Sequence, residues 1–219
     1  TTLDPALRSK LANLATQLGL VRLTVNGELV AQGTPPIIRW AGAEVTPPPA
    51  AFLQAVPEAE EMLQSLVTEA IGKAKRVADL FAGCGAFTFA LARHAAVAAF
   101  DSETDAAKRR SPPIWPNAPG LKPITAERRD LFRRPLLKHE LDTFDAVVID
   151  PPRAGAKAQT EQLATSKVKT IAAVSCSPAT FARDARILID GGYKLKSVTP
   201  VDQFLWSPHI ELVAIFERS

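Results

Sequence analysis

The sequence predicts an α/β protein, a seven-stranded, mostly parallel sheet preceded by a small α+β segment. Three observations predict it. From Pro57 onward, short apolar runs alternate with helical stretches, the pattern of a parallel sheet covered by helices. Before residue 48 there is one leucine-striped helix and then a few closely spaced short runs. Between the two stands TPPPA, residues 46–50, which breaks any regular element and reads as a linker. The expected division is therefore residues 1–48 and residues 49–219.

In chain order, Asp4 and Pro5 form a helix start, a cap followed by the first helical position. Leu7, Leu11, Leu14 and Leu18 then form one stripe at helical spacing. LTVNGELV alternates around Asn26-Gly27, a hairpin signal. IIRW and AEV are candidate short strands. PEAEEMLQSLVTEAIGKAK places acids in its first turns and lysines in its last, matching a helix dipole, with Met62, Leu66, Val67, Ala70 and Ile71 as the expected buried face. The seven strands expected after it are RVADLFA, AVAAFD, PITAERRD, FDAVVIDP, TIAAVSC, YKLKSVTPVD and IELVAIFER. SPPIWPNAPG, residues 111–120, carries four prolines and must be a loop, with Trp115 set to plug a groove or touch a ligand.

Composition bounds the function. Two cysteines make no disulfide framework and are too few for a four-ligand zinc or iron–sulfur site. No metal site is expected, and a reducing cytoplasm is the expected compartment. No apolar run reaches the ~18 residues that cross a bilayer, and no secretion signal opens the chain. The net charge is only +3, but basic residues cluster at Lys73, Lys75 and Arg76, at Lys108, Arg109 and Arg110, and at Arg128, Arg129, Arg133 and Arg134. Such clusters attract phosphates or are simply solvated surface.

Four motifs carry chemistry. DLFAGCGAFTFALA, residues 79–92, reads as strand, glycine turn and helix, with Gly83 and Gly85 letting the backbone bend and approach a ligand. A dinucleotide fingerprint wants a third glycine where Thr88 stands. Asp101 ends the next strand, where an acid can take both hydroxyls of a ribose. Ribose binding without the pyrophosphate glycine favours a nucleoside cofactor such as S-adenosylmethionine over NAD. Cys84, inside the turn, reads as a small apolar filler.

VVIDPPRAGA places Asp150 and Arg153 at the exit of the fourth strand, on the carboxyl edge where ligands bind. SCSPATFARD places Cys176 at the end of the fifth strand, with Ser177 and Pro178 opening a helix. A thiol at a helix N-terminus is expected to have a lowered pKa, which suits a nucleophile; the other reading is a buried structural thiol. In SPHIELVAIFER, His209 and Glu211 open the last strand, and alternation puts them on one face. A Glu entering an apolar strand is costly unless paired or working. His209 reads as a structural hydrogen-bonder.

Together these motifs resemble the S-adenosylmethionine-dependent RNA 5-methyluridine (uracil-C5) methyltransferase family, from about Ala50 to the C-terminus. The residues that carry the likeness are FLQ at 52–54, DLFAGCGAF, Asp101, DPPRAG, SCSPAT and the DQF…HIE ending. The resemblance implies a Rossmann-like class I methyltransferase fold. It implies Cys176 as nucleophile and Glu211 as base, with Gln54, Phe81, Gly83, Gly85, Asp101, Asp130 and Asp150 around the cofactor. It also implies an RNA substrate, ribosomal ahead of transfer RNA, with no membrane and no obligate protein partner evident. The family usually has Asn at the positions of Ala86 and Ser177, and the first change removes a cofactor hydrogen bond. Residues 1–48 resemble the end of the family's central domain, so the chain is expected to be the catalytic part of a longer protein.

The chemistry agrees with the residues. Uracil C5 is a poor nucleophile until a thiolate adds at C6, after which the C5 proton must leave, so one nucleophile and one base are needed. An RNA 5-methylcytosine methyltransferase would carry a second cysteine in the motif after the fourth strand, where DPPRAG has none. A non-enzymatic RNA-binding module is the alternative from another class; Cys176, Glu211 and Asp150 argue against it and Ala86 for it.

Overall fold

The computed structural model describes residues 3–49, 51–102, 119–204 and 206–218. Trp115 and the Lys108-Arg109-Arg110 cluster lie outside the described residues.

Helix α1, Pro5–Gln17, starts as expected, with Asp4 accepting from the Leu7 N–H. Strands β1 (Arg22–Val25) and β2 (Glu28–Gln32) form the hairpin, with Asn26 and Gly27 both at positive φ. That is the backbone hand that matches strand twist, and the reason for Asn-Gly. The leucine stripe of α1 is largely uncovered: Leu7, Leu14 and Leu18 are exposed and Ala15 is its buried residue. β3 (Ile38–Trp40) and β4 (Ala43–Val45) form a second hairpin. Its Trp40, Ala43 and Val45 pack against Phe89 of the larger unit.

Helix α2, Pro57–Ile71, begins on Pro57 and carries Glu58 and Glu60 in its first turn. Two expectations need correction here. Val67 and Ile71 are buried and Leu66 and Ala70 pack partly buried beside them as expected, but Ala59 and Leu63 complete the face and Met62 is exposed. Gly72 ends the helix before Lys73 and Lys75, which therefore lie beyond its last turn.

The rest is the expected sheet: β5 (Arg76–Leu80), α3 (Ala86–Ala92), β6 (Ala96–Asp101), β7 (Ile124–Arg128), α4 (Lys138–Leu141), β8 (Ala146–Ile149), α5 (Lys157–Thr165), β9 (Thr170–Ser175), α6 (Pro178–Asp190), β10 (Lys194–Val201) and β11 (Glu211–Glu217). The seven-stranded order is β10-β11-β9-β8-β5-β6-β7. β5 to β9 are parallel to one another, and β11 joins β9 antiparallel. This is a Rossmann-like fold. Alternation sorts the two cores: Ala146 and Val148 face one cluster with Leu63 and Leu91, while Val147 and Ile149 face another with Leu163 and Leu188.

After β5 the chain moves to β6 on one side, and after β8 it moves to β9 on the other. The carboxyl ends of β5 and β8 therefore flank the switch point, where open α/β sheets bind ligands. Among the described residues, no helix is long and apolar enough to cross a membrane.

Candidate active site

Sheet register assembles the site. Leu80 pairs with Phe100 and with Ile149, so the next residues, Phe81, Asp101 and Asp150, stand abreast at the carboxyl edge. The Asp150 N–H donates to the Leu80 carbonyl at 3.1 Å, and the Phe81 N–H to Phe100 at 2.9 Å. Phe81 turns the chain at φ 64°, and Gly83 and Gly85 continue at 53° and 97°. A positive φ favours glycine at those two positions, and at Phe81 it is strain held at the edge of the site. The turn closes over β6: the Gly83 N–H donates to Asp101 Oδ2 at 3.0 Å.

Asp130 lies two residues past β7, on the same edge. Its Oδ1 accepts the N–H groups of Phe132 and Arg133 at 3.0 and 3.2 Å. The turn it shapes lays Phe132 on Phe81, with ring centroids 5.3 Å apart. Gln54 comes in from the other side, accepting from Gln203 Nε2 at 2.7 Å.

Asp79 is a residue that sequence reasoning passed over. It sits in β5, fully buried, and accepts a hydrogen bond from the Thr88 hydroxyl. Its other oxygen, Oδ1, is buried with no hydrogen-bond partner among the described residues. Burial and the Asp101 charge push its carboxyl up to about 7, against the Thr88 bond. Thr88, which takes the place of a dinucleotide glycine, is thus the clamp on a buried acid. The available signal was the acid itself, inside the apolar run RVADLFA.

Cys176 and Glu211 meet through an antiparallel pairing. Ser175 pairs with Leu212, and one more step in that register sets Cys176 opposite Glu211. Glu211 is 4% exposed and Cys176 half-buried. Burial raises the Glu211 carboxyl, and Arg153 opposes the rise. Asp150 is pushed up to about 8 by burial, then by Glu211 and Asp79.

The expected low thiol pKa is overturned. Burial, then the charges of Glu211 and Asp150, raise Cys176, and Arg153 pulls the other way. A helix terminus acts as a partial charge, whereas two nearby carboxylates are full ones. Nor does the Ser177 side chain cap α6; the Ser177 carbonyl instead takes the Phe181 N–H at 3.0 Å.

The DPPRAG turn is fixed against α6. The Ala156 N–H donates to Asp184 at 2.7 Å, and Arg183 donates to the Ala154 carbonyl at 3.1 Å. Gly155 has φ +72°, and a Cβ there would stand 2.5 Å from the Arg183 guanidinium and 2.6 Å from the Asp184 carboxylate, so a side chain would be strained and would displace the groups that fix this turn. Arg153 is left exposed, 2.7 Å from His209 Nδ1. A guanidinium only donates, so Nδ1 accepts. His209 does not share a strand face with Glu211 as expected: β11 begins at Glu211, and His209 is exposed in the preceding loop.

The structure thus brings Cys176, Glu211 and Asp150 together, and sets Phe81, Gly83, Gly85, Asp101 and Asp130 along the same edge. Among the described residues, no group of three or more His, Cys, Asp or Glu could hold a metal ion. The basic cluster near β7 is partly structural, since Arg129 forks onto Glu140 at 2.6 and 2.9 Å.

The chain is similar to several known proteins. Residues 120–219 match the family model described as tRNA (uracil-5-)-methyltransferase. An uncharacterized RNA methyltransferase of Rhizobium meliloti is 51% identical over 98% of this chain and 52% of its own length. A 23S rRNA (uracil(1939)-C(5))-methyltransferase of Chromohalobacter salexigens is 38% identical over 66% of this chain and 30% of its own. Among solved structures, the Pyrococcus abyssi tRNA (uracil-54, C5)-methyltransferase in complex with S-adenosyl-L-homocysteine superposes with a TM-score of 0.67 at 27% identity, covering 84% of this chain and 45% of that one. The chain spans about half the length of curated relatives that it matches. The chain is thus similar to RNA methyltransferases along 98% of its length and to the tRNA (uracil-5-)-methyltransferase family over residues 120–219.

Proposed function

We propose that this chain is the catalytic unit of an S-adenosylmethionine-dependent enzyme that methylates C5 of a uridine in RNA. The observation that carries the reading is the β9–β11 register, which sets a cysteine opposite a buried glutamate beside the switch-point crevice. The crevice suits the cofactor. Its chemistry matches a nucleoside bearing an ammonium group: Asp101 for ribose hydroxyls, glycine backbone for close approach, and a buried Asp79 oxygen lacking a partner. Asp150, Phe81, Gln54 and Asp130 would complete the pocket. S-adenosylmethionine would supply an electrophilic methyl group there.

The chain's own residues do the rest. The Cys176 thiolate adds to uracil C6, and the electron pair displaced toward C5 and O4 makes C5 nucleophilic. Once C5 is methylated, Glu211 takes the C5 proton, and the returning electron pair expels the thiolate from C6. A raised carboxyl pKa makes Glu211 a stronger base, and Arg153 is the charge that favours the ionised form of both groups. The uridine must leave its stack to reach the thiol.

Ribosomal RNA is the proposed substrate ahead of transfer RNA, supported by the ribosomal relative; the cytoplasm is the proposed compartment. Residues 1–48 are proposed to be the end of a preceding domain, and residues 49–219 the methyltransferase domain. Mass mapping of methylated uridines in RNA from a strain lacking this gene should reveal the loss of one 5-methyluridine, restored by the wild-type gene and not by Cys176→Ala. Calorimetry with S-adenosylhomocysteine should show one site, weakened by Asp101→Ala. Tight NAD binding without a response to this ligand would overturn the reading.

A further inference from the structure

The loop between β10 and β11 leads into Glu211, and several of its described residues are tied down. Asp202 Oδ1 accepts the Phe204 N–H at 3.1 Å, and Gln203 reaches Gln54 at 2.7 Å. The Ser207 N–H closes a turn on the Phe204 carbonyl at 3.1 Å, and the His209 N–H donates to Ser207 Oγ at 3.2 Å. Phe204 packs its ring edge-on to His209, which Arg153 holds.

Trp206 stands in the middle of this fastened loop and is treated in the opposite way. It is fully exposed, at 103% relative accessibility. An indole is among the most buried side chains on average, so complete exposure forgoes a large gain. Its φ is +65°. It occupies the third position of the turn that Ser207 closes on Phe204, where a positive φ normally selects glycine. A bulky residue in that region is strained, and such strain collects at functional sites. Fold stability alone would place a glycine here and bury the tryptophan.

We propose that Trp206 is a stacking platform for a nucleobase beside the target uridine, and thus a positioning residue that sets which RNA the site accepts. The inference rests on the RNA reading above. The turn is five residues before Glu211, so a strand that delivers a uridine to Cys176 passes this loop. The flipped uridine leaves a neighbour without a stacking partner, and an exposed indole offers one. Stacking is tolerant of base identity and typical of single-stranded recognition. Arg153, exposed at the base of the same loop, supplies a cation for the adjacent phosphate. The chain on either side of the indole carries the polar Asp202 and Ser207, which suits a hydrated nucleic-acid strand.

The test uses Trp206→Gly and Trp206→Phe in this chain, with two readouts. One is binding of a short single-stranded RNA carrying 2-aminopurine next to a single uridine. The other is KM and kcat for uridine methylation on ribosomal RNA transcribed without modification. Wild type should quench 2-aminopurine on binding. Trp206→Gly should lose the quenching and weaken affinity and raise KM by on the order of ten-fold, with kcat little changed. It should also raise Tm, because glycine relieves the positive φ. Trp206→Phe should keep most of the affinity. A purely structural role predicts the opposite sign in Tm and no change in quenching. If wild type methylates uridine while Trp206→Gly leaves quenching and KM unchanged, the stacking role is overturned and the methyltransferase reading stands. If wild type neither methylates uridine nor quenches the probe, the RNA reading fails and the stacking role falls with it.

Discussion

At the amino edge of the sheet, Asp145 accepts the N–H groups of Lys75 and Arg76 at 2.8 and 3.0 Å, and these bonds hold its carboxyl below the usual range. Asp142 beside it accepts from Lys138 and from the Lys167 N–H, with the same result. At the carboxyl edge, Asp79, Asp150 and Glu211 crowd together with Cys176, and every one of these groups is raised. The contrast has one physical cause. Charged donors and backbone N–H groups favour an ionised carboxylate, whereas burial beside like charges disfavours it. One edge uses its acids to join strands. The other holds them in a state that binding or chemistry relieves, as perturbed groups in a crevice commonly do.

The largest expected effect comes from the carboxyl edge. Glu211→Gln keeps the proposed nucleophile, Cys176, and removes the proposed base. Turnover should fall by roughly 10²–10⁴-fold, and a methylated protein–RNA adduct should accumulate on denaturing gels. Turnover at the wild-type rate would put the base elsewhere, with His209 the next candidate. Cys176→Ala should give no adduct at all.

The second effect sets the two edges against each other in stability. Asp145→Ala removes a carboxylate that satisfies two exposed backbone donors, a loss of about 1 kcal/mol, or a few degrees of Tm at ~2–4 °C per kcal/mol. Asp150→Asn removes a buried charge and should raise the Tm of the ligand-free protein above pH 8. Changes of the same sign at both edges would erase the distinction.

The third is pH. Asp79 and Asp150 have folded pKa values of about 7 and about 8, above the ordinary 3.8. The folded state therefore binds more protons between those limits, and ligand-free stability should fall as pH rises from about 4 to about 8. Glu140, paired with Arg129, is held down at about 2, so its contribution is present above the ordinary 4.5 and is lost as pH falls toward 2. Melting curves across pH should show the first trend flatten in Asp79→Asn, and the second vanish in Glu140→Gln.

The smallest effect is local. Removing the Glu211 charge should lower the Cys176 pKa, so Glu211→Gln should speed iodoacetamide alkylation of the Cys176 peptide at neutral pH, read by mass spectrometry. An unchanged alkylation profile would mean that burial alone sets the thiol.

The sequence by itself determined most of the fold and the identity of the candidate groups. Asn26-Gly27, Pro5, Pro57 and Pro178 act through φ, a local quantity, and each marks its element. Short apolar runs between helical stretches marked the seven strands, because a parallel sheet covered on both faces buries nearly every residue of its central strands. Gly83, Gly85, Asp101, Asp150 and Cys176 stand at strand exits, and a parallel sheet puts all its exits on one edge. The tertiary structure decided what depends on neighbours distant in the chain. Met62 fits the helical period of α2, yet it lies off the face that meets the sheet. The pairing of Cys176 with Glu211 needs the antiparallel β11 beside β9, a choice among topologies that no short motif contains. The thiol's raised pKa follows from that pairing, because burial and two carboxylates outweigh the helix terminus visible in sequence. Asp79 gains its meaning in the same way, from Thr88 across the turn and from an oxygen with no hydrogen-bond partner among the described residues.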